Sequence, residues 1–414
     1  MKSSIIQNNE LLWTFKELKG NPKWSIITEP LWFIPASLFM PFASIYMYEI
    51  GLSQLEIGVT ITIGMILQAF FAFISGALTD KYGRKNTTFV FDFIAWSLPC
   101  FVWAFAQNFW WFLIASMLNA VYQVTNTSWT CLFIEDCPDE HVINAFTLIQ
   151  LAGMLSVFFA PITIVLMEEY SLISVVRGLY IFSGISMGLK FLLLYIYGGE
   201  TRQGKIRMEQ TKNTPFIDLL KGNKEIFLTM IKNSKIGVVI LFMGISGVSV
   251  IATTNFYSIY LTETLGLSEK IVAISPMIRT GVMLAFVVGI QKILNSLSLK
   301  TSISLGLGIS ILSHVFLIIS PPKSIAMVLM YTLFEAIGFA VFAPRKEALM
   351  TLYVDKQERS RTLALLNTIM IIITAPFGWI VGSMAQIDGR YPFILNIVLF
   401  AIGILAIQTH KEKA

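Results

Sequence analysis

Charge is what this chain has little of. Asp, Glu, Lys and Arg make up 13% of its 414 residues, while 55% are hydrophobic. Soluble domains usually carry about 25% charged residues. A chain with half that share and 32 Phe does not cover itself with polar surface, so the bilayer is its solvent. Cysteine is scarce as well. Cys100, Cys131 and Cys137 are too few, and too apolar in setting, for a disulfide framework or a zinc site. His141, His314 and His410 are scattered, and no H-x-x-x-H pair suits a metal-dependent hydrolase. No catalytic cluster, cofactor site or metal site is visible, so an enzyme is not expected.

What is present is long apolar runs. About twenty apolar residues cross a bilayer as a helix. Such runs occur near 31–50, 55–78, 87–106, 109–132, 142–167 and 172–197, and resume near 236–261, 270–291, 301–320, 324–344, 362–384 and 391–408. The pattern predicts an all-α integral membrane protein of twelve transmembrane helices in two pseudo-symmetric halves. Residues 1–198 hold an N-terminal arm and six helices, 199–235 a cytoplasmic linker with an interfacial helix, and 236–414 the other six. The halves also echo one another. In 127–149 and again in 344–366, a hydrophobic helix runs into a charged turn and then into another span.

The basic residues sort by side. With a cytoplasmic N-terminus and strict alternation, 24 Lys and Arg fall inside and only Lys270, Lys323 and Arg390 outside. That asymmetry is what the positive-inside rule requires. It places both termini in the cytoplasm and the multi-pass chain in the plasma membrane. The net charge of +5 is then topological, and no nucleic-acid partner is implied. Residues 1–23 interleave Leu11, Leu12, Phe15 and Leu18 with Lys16, Glu17 and Lys19. They read as a short helix on the inner membrane surface rather than a signal peptide. Residues 214–233 read the same way, with Thr214 and Pro215 suiting a helix start.

One decapeptide breaks the apolar pattern: GALTDKYGRK, residues 76–85, between the second and third spans. It fits G-x-x-x-D-(R/K)-x-G-(R/K)-(R/K) at Gly76, Asp80, Lys81, Gly83, Arg84 and Lys85. Motif, placement and the six-plus-six layout together resemble the major facilitator superfamily, in particular its bacterial drug and small-solute members. The resemblance implies a conformational latch. Gly76 would let two helices touch, and Gly83 would permit a tight turn. Asp80 would sit at the N-terminus of span eleven, near Thr362. Arg84 would pair with Glu135 or Asp136 at the end of span four. The chain departs from the pattern in three places. Residues 289–300 lack the acid and second glycine, Asn119 stands where many drug exporters carry arginine, and 156–165 keep Pro161 without a glycine.

Transporter sites lie near mid-bilayer. Span four offers Ser116, Asn119, Gln123, Asn126 and Thr130 at spacings that share one helical face. Such a stripe faces protein or water rather than lipid. Gln68 and Gln150 are also mid-span. Arg279 and Glu335 reach similar depths, about 15–18 Å at a rise of 1.5 Å per residue. They form either a structural pair or a substrate or coupling site. Glu29 and Arg177 lie nearer the interfaces, where long side chains snorkel.

No G-x-x-x-x-G-K-(S/T) phosphate loop is present, so a gradient must drive movement. The expected function is secondary transport by alternating access: proton-coupled export of a small, partly apolar organic molecule by a monomer. The alternatives are uptake or facilitated passage of a sugar, carboxylate or amino-acid-like solute, lipid flipping, or a transport-dead sensor on the same fold. Reporter fusions at Gly51, Tyr170 and Asp388 should read outside, and fusions at Gly204 and Ala414 inside. An external C-terminus would overturn the twelve-span count.

Overall fold

The computed structural model describes residues 10–138, 141–220, 234–294, 298–353 and 359–409. Helices make up its regular structure, and no strand occurs among the described residues. Ten helices are long and apolar enough to cross a membrane, from Gly20–Glu49 to Tyr391–Thr409. The fourth expected span is divided into Phe109–Asn119 and Tyr122–Ile134. The eighth is Glu269–Leu294. With these two, the helices account for the twelve expected spans, and the all-α membrane fold is borne out.

The chain forms two compact units. One joins Met1–Met40 to Ile63–Lys221, and the other joins Pro41–Thr62 to Gly222–Ala414. In the first unit, Leu18, Ile26, Phe133, Cys137, Ala145 and Ile149 make a buried cluster. The arm helix Glu10–Glu17 does not simply lie on a surface. It leads into Leu18, which is buried, and Phe15 packs against the same cluster, while Leu12 and Trp13 stay exposed. Its Thr14 hydroxyl accepts from Asn144 Nδ2 at 3.1 Å. Residues 221–233, most of the second expected interfacial segment, lie outside the described residues. Its start, Phe216–Leu220, is helical and follows Pro215.

The first span starts earlier than its hydropathy suggests. It begins at Gly20, in a polar stretch held by Asn21, whose side chain donates to the Gly199 carbonyl and accepts from the Gly199 N–H, both at 2.9 Å. Glu29 is therefore well inside the helix and not at an interface. Arg177 meets the expectation better, since its guanidinium donates to the Ala106 carbonyl at 2.8 Å. Proline accounts for the breaks in this span. Pro30 opens one helical segment, Pro35 lies within it, and Pro41 sits in a 3₁₀ turn at Met40–Phe42.

Helices in lipid gain no hydrophobic driving force from touching each other, so small residues that allow close packing matter more. In the second unit, Leu299–Ile318 and Ile325–Tyr353 meet at such a point. A Cβ added at Gly338 would stand 3.0 Å from the Gly306 carbonyl oxygen and 3.0 Å from the Ser310 nitrogen. These helices carry His314 and Glu335, so their contact sets the position of both. Around it, Phe242, Ile245, Ile303, Leu307, Phe342 and Phe400 form the buried core. Gly338→Leu drives a side chain into fixed backbone and is expected to cost about 1–3 kcal/mol, the usual range for overpacking. Thermal unfolding in detergent checks this. A melting temperature equal to that of the parent would show that the helices separate freely.

Candidate functional site

Three charge clusters lie within the units. The first surrounds the decapeptide. Gly83 has φ +85°, a left-handed conformation that glycine adopts without strain, and the turn it makes starts the helix Arg84–Asp92. Arg84 is buried. Its Nε donates to both Glu135 oxygens at 3.1 Å, and its Nη1 reaches Asp80 Oδ1 at 3.0 Å. The other Asp80 oxygen accepts from Arg207 Nη2 at 2.6 Å. Arg207 belongs to the helix Arg202–Thr211, which follows the sixth span and is N-capped by Thr201. Within its unit, Asp80 thus meets the linker helix. Its carboxylate holds the Arg207 guanidinium above its ordinary pKa.

The linker supplies further bonds. Glu200 accepts from the Arg84 and Lys85 backbone N–H groups, each at 3.0 Å. It thereby caps the positive end of that helix. Thr201 Oγ1 donates to Glu135, Lys81 Nζ to the Thr214 carbonyl at 2.9 Å, and the Arg202 N–H to Asp136 at 3.4 Å. Gly76 plays no such part. A Cβ there would meet nothing within 4 Å among the described residues.

The second cluster is Arg279 with Glu335. Arg279 Nε donates to Oε2 at 2.6 Å and Nη2 to Oε1 at 3.1 Å, a two-point pair. The Phe339 ring lies 4.7 Å from the guanidinium carbon. The pair borders a cavity of about 50 Å³ that Ser246, Ser249, Thr253 and His314 also line. That space admits water, not an organic molecule. His314 is buried between the Ser310 carbonyl, 2.9 Å from Nδ1, and Asn396 Nδ2, 3.1 Å from Nε2. A neutral ring protonated on Nδ1 satisfies both.

The third cluster is in the first unit. Lys190 Nζ lies 2.8 Å from Glu29 Oε2. Asp92 feels the charges of both, and the Thr125 hydroxyl that borders the same space donates to the Tyr122 carbonyl at 2.9 Å. All three are buried, at 5%, 6% and 6% exposure for Lys190, Glu29 and Asp92. They border a cavity of about 290 Å³.

Comparison with known proteins places this architecture. The model of the Major Facilitator Superfamily matches residues 31–344. The chain belongs to the Major Facilitator Superfamily. As a member of that superfamily it is a membrane transporter. It is 30% identical over 108 residues to the multi-drug resistance efflux pump PmrA of Streptococcus pneumoniae, a match covering 25% of this chain and 27% of that one. It is 28% identical over 142 residues to the MFS-type transporter YqjV of Bacillus subtilis, covering 34% of each. The matched segments thus span about a third or less of these relatives. The solved nucleoside transporter NupG superposes with a TM-score of 0.73 over 94% of this chain and 100% of that one, at 15% identity. That similarity is one of fold.

The superfamily member's polar stripe on span four does not form one surface. The helix breaks after Asn119, and Asn119 Nδ2 donates to the Ala95 carbonyl at 2.8 Å. Ala95 lies in a π-helical turn, Phe93–Ser97, where the regular backbone bonding is interrupted. Gln123 Nε2 donates to the Tyr122 hydroxyl at 3.0 Å, which donates to Gln68 Oε1 at 3.2 Å. Asn126 borders the larger cavity. Gln150 is exposed and borders neither cavity. Sequence reasoning passed over Asp92, Glu200 and Arg207 and ranked Glu29 low. An acid inside the apolar run 87–106 was the available signal for Asp92.

The two arginines at Asp80 should differ in weight. Arg84 has 5% side-chain exposure and Arg207 42%. Arg84→Ala takes the guanidinium away from Glu135 and leaves Asp80 to Arg207, and loss of a buried partner costs about 3–5 kcal/mol. Arg207→Ala should cost about 0–1 kcal/mol, as exposed pairs do. Melting curves of the two variants test the ranking, and equal losses would refute it.

Proposed function

We propose that this protein is a secondary active transporter that exports a small, partly apolar organic molecule by alternating access, in exchange for protons taken up at Glu335. The observation that carries the reading is the Arg279–Glu335 pair. It is a two-point ion pair at 2.6 and 3.1 Å inside an apolar helix bundle, beside a space of water size. A carboxylate there can exchange protons with water. Both Glu335 oxygens are engaged by Arg279, so proton binding has to break the pair, and that links protonation to a conformational change. The identity with an efflux pump over 108 residues supports export as the direction.

In this reading residues 1–198 and 236–414 work as the two six-helix halves, joined by 199–235. The protein acts as a monomer in the plasma membrane with both termini in the cytoplasm. The cluster of Asp80, Lys81, Arg84, Lys85, Glu135 and Asp136 is a conformational latch, its charges redistributed between partners as the transporter turns over.

The test is a set of three variants, Arg279→Gln, Glu335→Gln and the double change, reconstituted into liposomes with an imposed pH gradient. Glu335→Gln should fold and bind but lose pH-driven accumulation, and the double change should not restore it. Arg279→Gln leaves a carboxylate without its partner. It should lower stability by about 1–3 kcal/mol, below the range for a fully buried pair because the Arg279 side chain is 36% exposed. Proton-driven transport retained in Glu335→Gln would remove the coupling role and leave the pair as scaffold.

A further inference from the structure

We infer that the cavity within the first unit is a binding site for a small organic monocation. This rests on the transporter reading above and names the class of molecule that one cavity takes. The argument starts from charge. Glu29, Asp92 and Lys190 are the ionisable acids and bases that line the cavity. Lys190 pairs with Glu29 at 2.8 Å. With all three ionised, Asp92 leaves one negative charge over. Lys85, nearer the cytoplasmic end of the same helix, does not answer it: its Nζ lies 4.4 Å from the Tyr195 ring centroid. A buried carboxylate without a cation is costly in an apolar interior; either a proton or a ligand cation can answer its charge, and the two compete for it.

The walls fit the same ligand. Trp32, Trp96, Tyr122 and Trp129 border the space. Trp32 and Trp96 stand edge to face at 4.9 Å, and Trp96 and Tyr122 are 5.6 Å apart. Aromatic faces attract cations, and tryptophan does so most strongly. Tyr122 is fixed by its bonds to Gln68 and Gln123. The volume, about 290 Å³, lies at the small end of organic-ligand sites. The ligand is therefore of single-ring size. An anion would face two carboxylates, and a neutral molecule would leave Asp92 unanswered.

The test uses the purified full chain in an uncharged detergent. Benzyltrimethylammonium, benzyl alcohol and benzoate present the same ring with charge +, 0 and −. Tryptophan fluorescence and the shift of melting temperature report binding. The cation should bind saturably and at least about tenfold more tightly than the other two. Asp92→Asn should weaken the cation by about tenfold or more, and Asp92→Glu, which keeps the charge, should retain binding within a few-fold. Equal affinity for all three probes, preference for benzoate, no saturable binding in the parent, or undiminished cation binding in a folded Asp92→Asn each overturns the proposal. If Asp92→Asn does not fold, the charge series on the parent protein decides. Glu335→Gln should bind the cation as the parent does. Loss of pH-driven transport in that variant with binding intact separates the fate of this site from that of the coupling reading.

Discussion

A charge in an apolar helix bundle needs a partner, from the chain itself or from a ligand. Water is not there to solvate it, and Coulomb attraction rises steeply as the effective dielectric falls. In each cluster the cation meets this demand inside one unit. Arg279 is met by Glu335 on a neighbouring helix, Lys190 by Glu29, and Arg84 by Glu135 and Asp80 together. These pairs are weak evidence of stability, because burying both ions costs about what their attraction returns. Their effect is on geometry. A two-point arginine–carboxylate contact tolerates little rotation. It fixes the register of Glu269–Leu294 against Ile325–Tyr353 more tightly than apolar packing would.

The same demand explains which parts were legible from sequence. Low charge and long apolar runs give the membrane class and the helices, because span length is a property of the bilayer. GALTDKYGRK marks a turn, and Gly83 with positive φ is the turn residue that the motif implies. The pairing of Arg84 with Glu135 was also legible. Both were sought at adjoining ends of their spans, and they meet there. Arg279 and Glu335 were matched by depth alone, and depth sufficed because each needed a partner and few others exist at that level.

What was not legible depends on chain breaks and long-range contacts. Regular spacing put Asn119 and Asn126 on one face, but that inference assumes an unbroken helix. The chain breaks between Asn119 and Tyr122, and Asn119 turns to a carbonyl that the π turn at Phe93–Ser97 exposes. The break after Asn119 carries no sequence signal as plain as proline or glycine. The π turn has one in Pro99, which lacks the N–H that would bond the Ala95 carbonyl four residues back. Glu29 was misplaced because the helix starts in polar residues that hydropathy reads as loop. Glu200 and Arg207 are ordinary linker charges until the linker folds back over Asp80 and the first turn of the helix Arg84–Asp92. Their roles come from contacts more than a hundred residues away in sequence.

Charge count also gives a site its selectivity. In the first unit two carboxylates and one ammonium share one space. Lys190 does more than neutralise Glu29, because it sets the remainder at a single charge. Without Lys190, the cavity would carry two negative charges and favour a divalent ion, whose strong hydration the aromatic walls could not replace. With two lysines it would be neutral and indifferent to ligand charge. One ammonium against two acids leaves a field suited to one dispersed positive charge, and the tryptophan faces favour a weakly hydrated cation over a compact one. Because Lys190 and Glu29 are joined to each other and Asp92 is buried in the wall, these charges are held in place before any ligand arrives. Little reorganisation then opposes binding, and preorganisation of this kind is what lets a small site discriminate by charge.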